Sequence, residues 1–206
     1  TDRNISLLSP SESRTKYKND FSRNLLEYNG VFDQWTMNGK MAYLTEGYQY
    51  YPNKLLQQYS FGETKTWITK ADVSFQATPS FLVNTILEYN TTRGEGSGFG
   101  YHERQIGAAS VLLKYEIDSK WQNELGLRKE FTTNYKPPVL FSAGSALCIA
   151  PWYQLKVNVS HNFRIPTYND LYWEEGGNPN LKPESAYQGE LANVFTYKNI
   201  SLTQTA

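Results

Sequence analysis

The sequence has little of what metal sites, disulfide frameworks and charge-driven binding require. Its 206 residues include two histidines and one cysteine. These are too few for a zinc cluster or a disulfide network, so Cys148 is interpreted as an inert apolar residue. Twenty basic and twenty acidic residues give no net charge, and hence no long-range attraction to nucleic acid or anionic lipid. No stretch approaches the roughly 18 apolar residues of a membrane helix. We expect no metal, no cofactor and no nucleic-acid partner.

Aromatic residues, by contrast, are abundant. Sixteen tyrosines, ten phenylalanines and five tryptophans make up 15% of a chain whose mean hydropathy is −0.60. A soluble core does not need so many tyrosines in so polar a chain. A sheet with one apolar face, one wet face and aromatic borders does need them.

Apolar and polar residues alternate most regularly in residues 153–165. One face carries Tyr153, Leu155, Val157, Val159, His161, Phe163 and Ile165. The other face carries Gln154, Lys156, Asn158, Ser160, Asn162 and Arg164. A period of two over thirteen residues predicts a strand rather than a helix. Comparable or looser strand patterns occupy 18–28, 35–45, 67–77, 81–91, 105–117, 121–131, 139–149 and 186–197, and a last strand occupies Ile200–Thr205.

The length of these strands needs a cause. They run for ten or more residues, whereas strands of globular proteins most often have about five or six. A strand that crosses a membrane needs about 9–11 residues, and only a closed barrel satisfies its backbone inside lipid. The pattern predicts an all-β fold: about ten strands of an antiparallel, up-and-down transmembrane β-barrel.

The connections alternate between short and long. Short ones are predicted at Asn29–Asp33, Ala77–Ser80, Asp118–Lys120, Ala150–Pro151 and Lys198–Asn199, and long ones near 50–62, 92–104, 133–138 and 166–185. Short turns at one end and long loops at the other are typical of an outer-membrane barrel. Aromatics recur eight to ten residues apart within strands, as in Trp35 and Tyr43 or Trp121 and Phe131. That distance matches an apolar band between two aromatic girdles.

Residues 162–184 contain an unusual run of turn-forming residues after a strand. Pro166 ends the strand because it has no N–H for the ladder. Residues 167–173 are predicted to form a short helical turn or an ordered loop. Residues 176–180, Gly-Gly-Asn-Pro-Asn, predict a chain reversal.

This segment closely resembles the TonB-dependent outer-membrane receptors. In that family a strand ending in Phe-Arg-x-Pro-Thr precedes Leu-Tyr and then Gly-Asn-Pro-Asn-Leu-x-Pro-Glu. The matching residues are Phe163, Arg164, Pro166, Thr167, Leu171, Tyr172, Gly177, Asn178, Pro179, Asn180, Leu181, Pro183 and Glu184. A looser resemblance extends through the strand pattern to nearly the whole chain.

The resemblance implies a receptor in the bacterial outer membrane that imports a scarce nutrient, such as a ferric siderophore or cobalamin. It also implies a roughly 22-stranded barrel, contact with outer-membrane lipid, a plug domain of the same receptor, and a segment that engages the TonB complex. Neither the plug nor the TonB-contacting segment is recognisable. We therefore expect residues 1–206 to be a middle-to-late portion of the barrel domain, without the plug domain and the C-terminal strands.

Four residues are candidates for ligand contact. Tyr172 and Trp173 are aromatic residues in the long loop, where ligand contact and loop packing are both open. Arg164 lies on the polar side of its strand, which in a barrel faces the lumen. It either contacts plug or substrate or forms an ion pair with the plug or a neighbouring strand, and we favour the ion pair. His102 stands beside a loop from which it could touch an iron chelate.

Other signals are set aside. The glycine-rich segment 94–100 lacks the Gly-Lys-Ser/Thr ending of a phosphate loop and is interpreted as a mobile extracellular loop. His161 falls on an apolar face and is interpreted as a packed imidazole rather than a ligand. Glu174 and Glu175 are adjacent in an extended chain and point opposite ways, which disfavours a catalytic pair. We expect no enzyme activity.

Two other classes of function compete with the receptor. A soluble all-β carbohydrate-binding module would use the Tyr and Trp surface. A barrel enzyme of the outer membrane would need a catalytic set, and none is visible in the sequence.

Overall fold

The computed structural model describes residues 2–4, 14–118, 120–173 and 176–206. Within these ranges the chain forms eleven strands and one short helix. In order they are β1 (Asp2–Asn4), β2 (Lys16–Phe32), β3 (Trp35–Tyr51), β4 (Ser60–Thr78), β5 (Phe81–Gly96), β6 (Gly100–Ile117), β7 (Trp121–Thr132), β8 (Val139–Ala150), β9 (Tyr153–Arg164), α1 (Tyr168–Tyr172), β10 (Glu184–Tyr197) and β11 (Ile200–Thr205).

All eleven strands belong to one antiparallel sheet. Each strand pairs with the next one along the chain, from β1 at one edge to β11 at the other. The predicted all-β, up-and-down architecture of about ten strands is therefore confirmed. Strands β2 to β6 are longer than predicted, at 16 to 19 residues. Across the described part of the chain, no helix has the length and hydropathy to cross a membrane.

The register keeps the two faces of the sheet chemically distinct from strand to strand. An apolar row crosses seven strands through Trp35, Phe75, Val83, Leu113, Leu125, Ala143 and Val159. A neighbouring row on the opposite face passes through Asn38, Asp72, Ile86, Ser110 and Arg128. Because side chains alternate along a strand, one register error would exchange these two faces.

Two rows of aromatic rings border the apolar face. Near the short turns, Trp35 packs on Phe75 with ring centroids 4.5 Å apart, and Tyr153 packs on Phe195 at 4.9 Å. Eight residues from that row, in the middle part of β3 and β4, Tyr43 packs on Trp67 at 4.6 Å. His161 continues this second row, stacked on Tyr187 at 4.2 Å and only 7% exposed. The imidazole is thus packed among rings, and the two rows frame an apolar band.

No second layer covers the apolar face in the described part of the chain. Among the described residues, the buried hydrophobic ones are Ala108, Leu171 and Ala192. Large side chains of the apolar face stay exposed, as Leu87 does at 55%. A soluble sandwich would bury this face against another sheet. The carbohydrate-binding module is therefore not favoured.

The connections follow the predicted alternation with one exception. Two-residue turns at 33–34, 79–80, 151–152 and 198–199 lie at one end of the sheet, called here the turn end. Longer connections at 52–59, 133–138 and 165–183 lie at the other, called the loop end.

The prediction of a long loop near 92–104 is wrong. Strands β5 and β6 stay paired to Gly96 and Gly100, so only residues 97–99 connect them. Arg93 and Glu103 are partners across this part of the hairpin and form an ion pair at 3.1 Å, although the sequence here is polar. Gly100 supplies a positive φ of 68° for the turn. The glycine-rich segment is therefore a hairpin end rather than a mobile loop.

The two faces predict opposite responses to a charge. Leu87 lies on the apolar face between the aromatic rows, and Ile86 lies beside it on the polar face. We expect Leu87→Arg to lower the free energy of unfolding in lipid vesicles by about 2–4 kcal/mol, the cost of a cation at the bilayer midplane. The matched control, Ile86→Arg, should cost much less. Urea titrations of the protein in vesicles measure both, and equal losses would contradict the assignment of faces.

Candidate functional site at the loop end of the polar face

The segment after β9 folds into helix α1 because its first turn caps itself. The backbone N–H of Thr167 donates to Asp170 Oδ2 at 2.8 Å, and the backbone N–H of Asp170 donates to Thr167 Oγ1 at 3.2 Å. This reciprocal pair is a capping box, which satisfies N–H groups at a helix start. The hydrogen bonds from Thr167 hold the pKa of the Asp170 carboxyl below its ordinary value. Of the two predicted forms, this segment takes the helical one.

The chain reversal that follows is built on the end of the helix. The backbone N–H of Gly177 donates to the Trp173 carbonyl at 2.6 Å, and that of Asn178 donates to the Asp170 carbonyl at 2.8 Å. A Cβ at Gly177 would lie 2.7 Å from the Trp173 carbonyl oxygen, so only glycine fits. The Asn178 side chain accepts from the N–H of Asn180 at 3.0 Å and fixes the next corner.

Helix α1 lies between β9 and β10 in the sequence, but it packs on strands β5 and β6. Leu171 is 2% exposed. The Tyr168 hydroxyl donates to the Thr92 carbonyl at 3.0 Å, and the Arg104 guanidinium lies 4.8 Å from the Tyr168 ring centre. The rings of His102 and Tyr172 stack at 3.7 Å with an angle of 6°. The loop between β9 and β10 is therefore folded onto the polar face.

Burial raises the pKa of the Tyr168 phenol above its ordinary value, although the positive charge of Arg104 opposes the shift. The phenol consequently stays protonated at neutral pH and keeps its donor hydrogen. A protonated hydroxyl is what the bond to the Thr92 carbonyl requires.

The structure brings together three of the four predicted ligand residues. His102 and Tyr172 are in ring contact, and Trp173 follows Tyr172 at the end of the helix, 53% exposed. Arg164 stands apart at the end of β9, where its Nη1 lies 4.0 Å from Oε2 of Glu184 on the neighbouring strand. Both of those side chains are exposed, so the pair is weak. Glu174 and Glu175 lie outside the described residues.

A groove of about 420 Å³ separates helix α1 from strands β2 to β4. Tyr168, Asn169 and Phe99 line one side of it. The other side includes Tyr17, Phe21, Arg23, Glu46, Tyr48 and Gly62. Helix α1 and the strands from β2 to β4 thus form the two sides of one groove on the polar face.

The side of the groove formed by β2 to β4 was not predicted from the sequence. Tyr17 and Tyr48 stack with ring centroids 5.5 Å apart and an angle of 7°. Arg23 Nη2 lies 3.2 Å from Glu46 Oε1. None of these residues belongs to a motif. Only the alternation along β2 and β3, which puts them on one face, could have signalled them.

Comparison with known families identifies this arrangement. Residues 2–205 match the family described as TonB dependent receptor-like, beta-barrel. The chain belongs to that family and is a portion of a receptor barrel, not an enzyme.

Particular relatives fall into two groups. The chain is 30% identical, over 126 residues, to the vitamin B12 transporter BtuB of Photobacterium profundum, a match that covers 60% of this chain and 21% of that protein. Its fold is similar to the ferric enterobactin receptor PfeA, with a TM-score of 0.78, 10% identity and coverage of 94% and 35%. The siderophore receptor PirA of Pseudomonas aeruginosa gives a TM-score of 0.75, 14% identity and coverage of 94% and 38%. The matched region thus spans about a fifth of the curated relative, and the chain covers little more than a third of each solved structure.

The close approach at Gly177 predicts a selective effect of added bulk. We expect Gly177→Ala to destabilise the folded loop by about 1–3 kcal/mol, because its Cβ meets the backbone of Trp173. Gly176→Ala is the matched control, since its Cβ would only reach ordinary contact at 3.7 Å from the Trp173 ring. Hydrogen exchange at the α1 amides measures the opening of the loop. Equal protection in the two variants would contradict the proposed fit.

The capping box predicts a dependence of helix α1 on pH. The pKa of Asp170 is lower in the folded loop than in the unfolded chain, so its contribution is present above the unfolded pKa and lost as pH falls through the folded one. We expect α1 amide protection, corrected for intrinsic exchange, to decrease on going from pH 7 to pH 3. Asp170→Asn should remove most of that decrease. A wild-type loop protected equally at both pH values would refute the role of the carboxylate.

Proposed function

We propose that the chain forms part of the wall and outer loops of a bacterial outer-membrane receptor that imports a scarce nutrient with TonB-coupled energy. The observation that carries this proposal is a capped loop folded onto the polar face of a sheet whose other face is apolar and bordered by aromatic rows. Such a sheet suits lipid outside and water inside. Membership in the receptor family supports the same interpretation.

In this proposal the residues of the chain bind and position the cargo but perform no chemistry. The remaining strands, the plug domain and the segment that engages the TonB complex belong to the whole receptor. Outer-membrane lipid contacts the apolar face, and the cargo enters from the loop end. The folded loop with Tyr172 and Trp173, and His102 of strand β6 stacked against it, lie at that entrance, where these three residues are proposed to contact the ligand. Arg164 instead forms an ion pair at the end of its strand.

The sequence relatives favour a cobalamin-like cargo. The match to a vitamin B12 transporter is at 30% identity, whereas the siderophore receptors share 10% and 14% identity with this chain. The latter values support a common fold and say little about cargo. We therefore propose a corrinoid as the first cargo to test and a ferric siderophore as the second.

Uptake by intact cells tests this function. A Gram-negative strain lacking its own vitamin B12 receptor is given the gene of the intact receptor, and the uptake of labelled cyanocobalamin is measured with and without functional TonB. We expect uptake only in the TonB-positive cells that carry the receptor. Ferric siderophores are the parallel probes.

TonB-dependent uptake of a siderophore alone would keep the receptor and reject the corrinoid. Absence of uptake for every probe, with the receptor folded in the outer membrane, would reject the transport function.

A further inference from the structure

We infer that the groove between helix α1 and strands β2 to β4 holds an uncharged, ring-bearing face of the cargo, with Tyr48 and Asn169 as contacts from its two walls. This inference rests on the proposed function, since it assumes that the receptor binds a cargo at the loop end. It goes further by naming a site, its residues and the charge class of the ligand. The groove volume of about 420 Å³ lies within the range of about 300–1,000 Å³ typical of small-molecule sites.

The strand wall of the groove offers an exposed aromatic ring. The Tyr48 ring reaches over Gly62, where a Cβ would approach to 2.9 Å of its Cζ atom. A nearly parallel stack with Tyr17 fixes the orientation of the ring. Even so, Tyr48 remains 39% exposed. Gly62 therefore leaves room for the ring, and the part of the ring that Gly62 and Tyr17 do not cover stays open to a ligand.

The helical wall is fixed by the contacts of α1 with β5 and β6. Asn169 and Tyr168 both line the groove, and the bond from Tyr168 to the Thr92 carbonyl ties the helix to the sheet. The capping box holds Asn169 within the first turn. Because the wall is already folded, a ligand need not order the loop when it binds, which improves affinity. The exposed Asn169 amide can both donate and accept hydrogen bonds with polar groups at the edge of a ring.

The charges of the groove favour a neutral ligand. Among the described residues that line it, Arg23 and Glu46 carry the charged side chains of the polar face, and they pair with each other at 3.2 Å. Asp20 and Glu63 also border the groove, but alternation along their strands puts their carboxylates on the opposite face. The groove therefore offers a polyanionic chelate no unpaired cation. A neutral ligand needs none.

Equilibrium binding to the purified intact receptor in detergent tests the strand wall. The probes are cyanocobalamin, a neutral corrinoid, and ferric enterobactin, an anionic catecholate chelate. We expect Tyr48→Ala to weaken cyanocobalamin binding about tenfold or more, as loss of a stacking contact does. Tyr50→Ala is the matched control: it is the same residue type on the same strand and face, at 37% exposure, but outside the groove lining. It should bind within about twofold of wild type.

A second variant tests whether both walls touch one ligand. Asn169→Ala should also weaken cyanocobalamin binding, and the double variant with Tyr48→Ala should differ from the product of the two single effects. Thermal unfolding of each variant guards against a general loss of fold. If a variant unfolds, Tyr48→Phe, which keeps the ring, replaces Tyr48→Ala and should retain binding.

Three results would overturn the groove assignment. They are wild-type binding of cyanocobalamin by both Tyr48→Ala and Asn169→Ala, equal losses in Tyr48→Ala and Tyr50→Ala, or binding of the anionic chelate in place of the neutral corrinoid. None of them depends on TonB, because binding in detergent needs no energy source. The proposed import function is decided separately by uptake in cells, so its failure is distinguishable from that of the groove.

Discussion

The structure of this chain depends on the backbone hydrogen bonds that join each strand to the next one. In lipid no water replaces a missing partner, so a spanning strand must be hydrogen-bonded along both edges. The unbroken order from β1 to β11 meets that need for every interior strand. Because the same ladder fixes the register, it also decides which side chains lie on the apolar face and which lie on the polar face. The separation of the two faces is thus a consequence of backbone pairing.

The polar face then has to place charges where partners exist. Arg128 forms ion pairs with Glu88 and with Glu130, the latter at 2.9 Å, and donates to Ser110 Oγ at 3.3 Å. Lys114 on β6 pairs with Glu124 on β7 at 2.8 Å. Arg128 on β7 thus reaches Glu88 on β5 and Glu130 on its own strand, whereas Lys114 and Glu124 join two neighbouring strands, so opposite charges offset each other on one face of the sheet. Single exposed pairs contribute little to stability. Their effect is to make this face polar enough to contact water and polar solutes.

The sequence predicted what depends on local periodicity and failed where contacts are distant. The strand over 153–165 and the turn at 198–199 follow from alternation and turn chemistry, and both are present. The end of β5 was misjudged because glycines 94 and 96 suggested a loop. Their actual role is to leave space for the rings of Tyr168 and Phe99. No local pattern contains that information, since Tyr168 lies more than seventy residues away. The groove was missed for the same reason.

The same distinction explains why the chain reveals its family more readily than its cargo. Motif residues such as Thr167, Leu171 and Gly177 act as a helix cap, a buried anchor and a point of backbone contact. Each is dictated by the geometry of the loop, so the motif specifies a folded loop irrespective of what passes beneath it. Tyr48 and Asn169 are exposed positions outside the motif. Because contact with a ligand demands exposure, specificity has to reside in residues that backbone geometry leaves free.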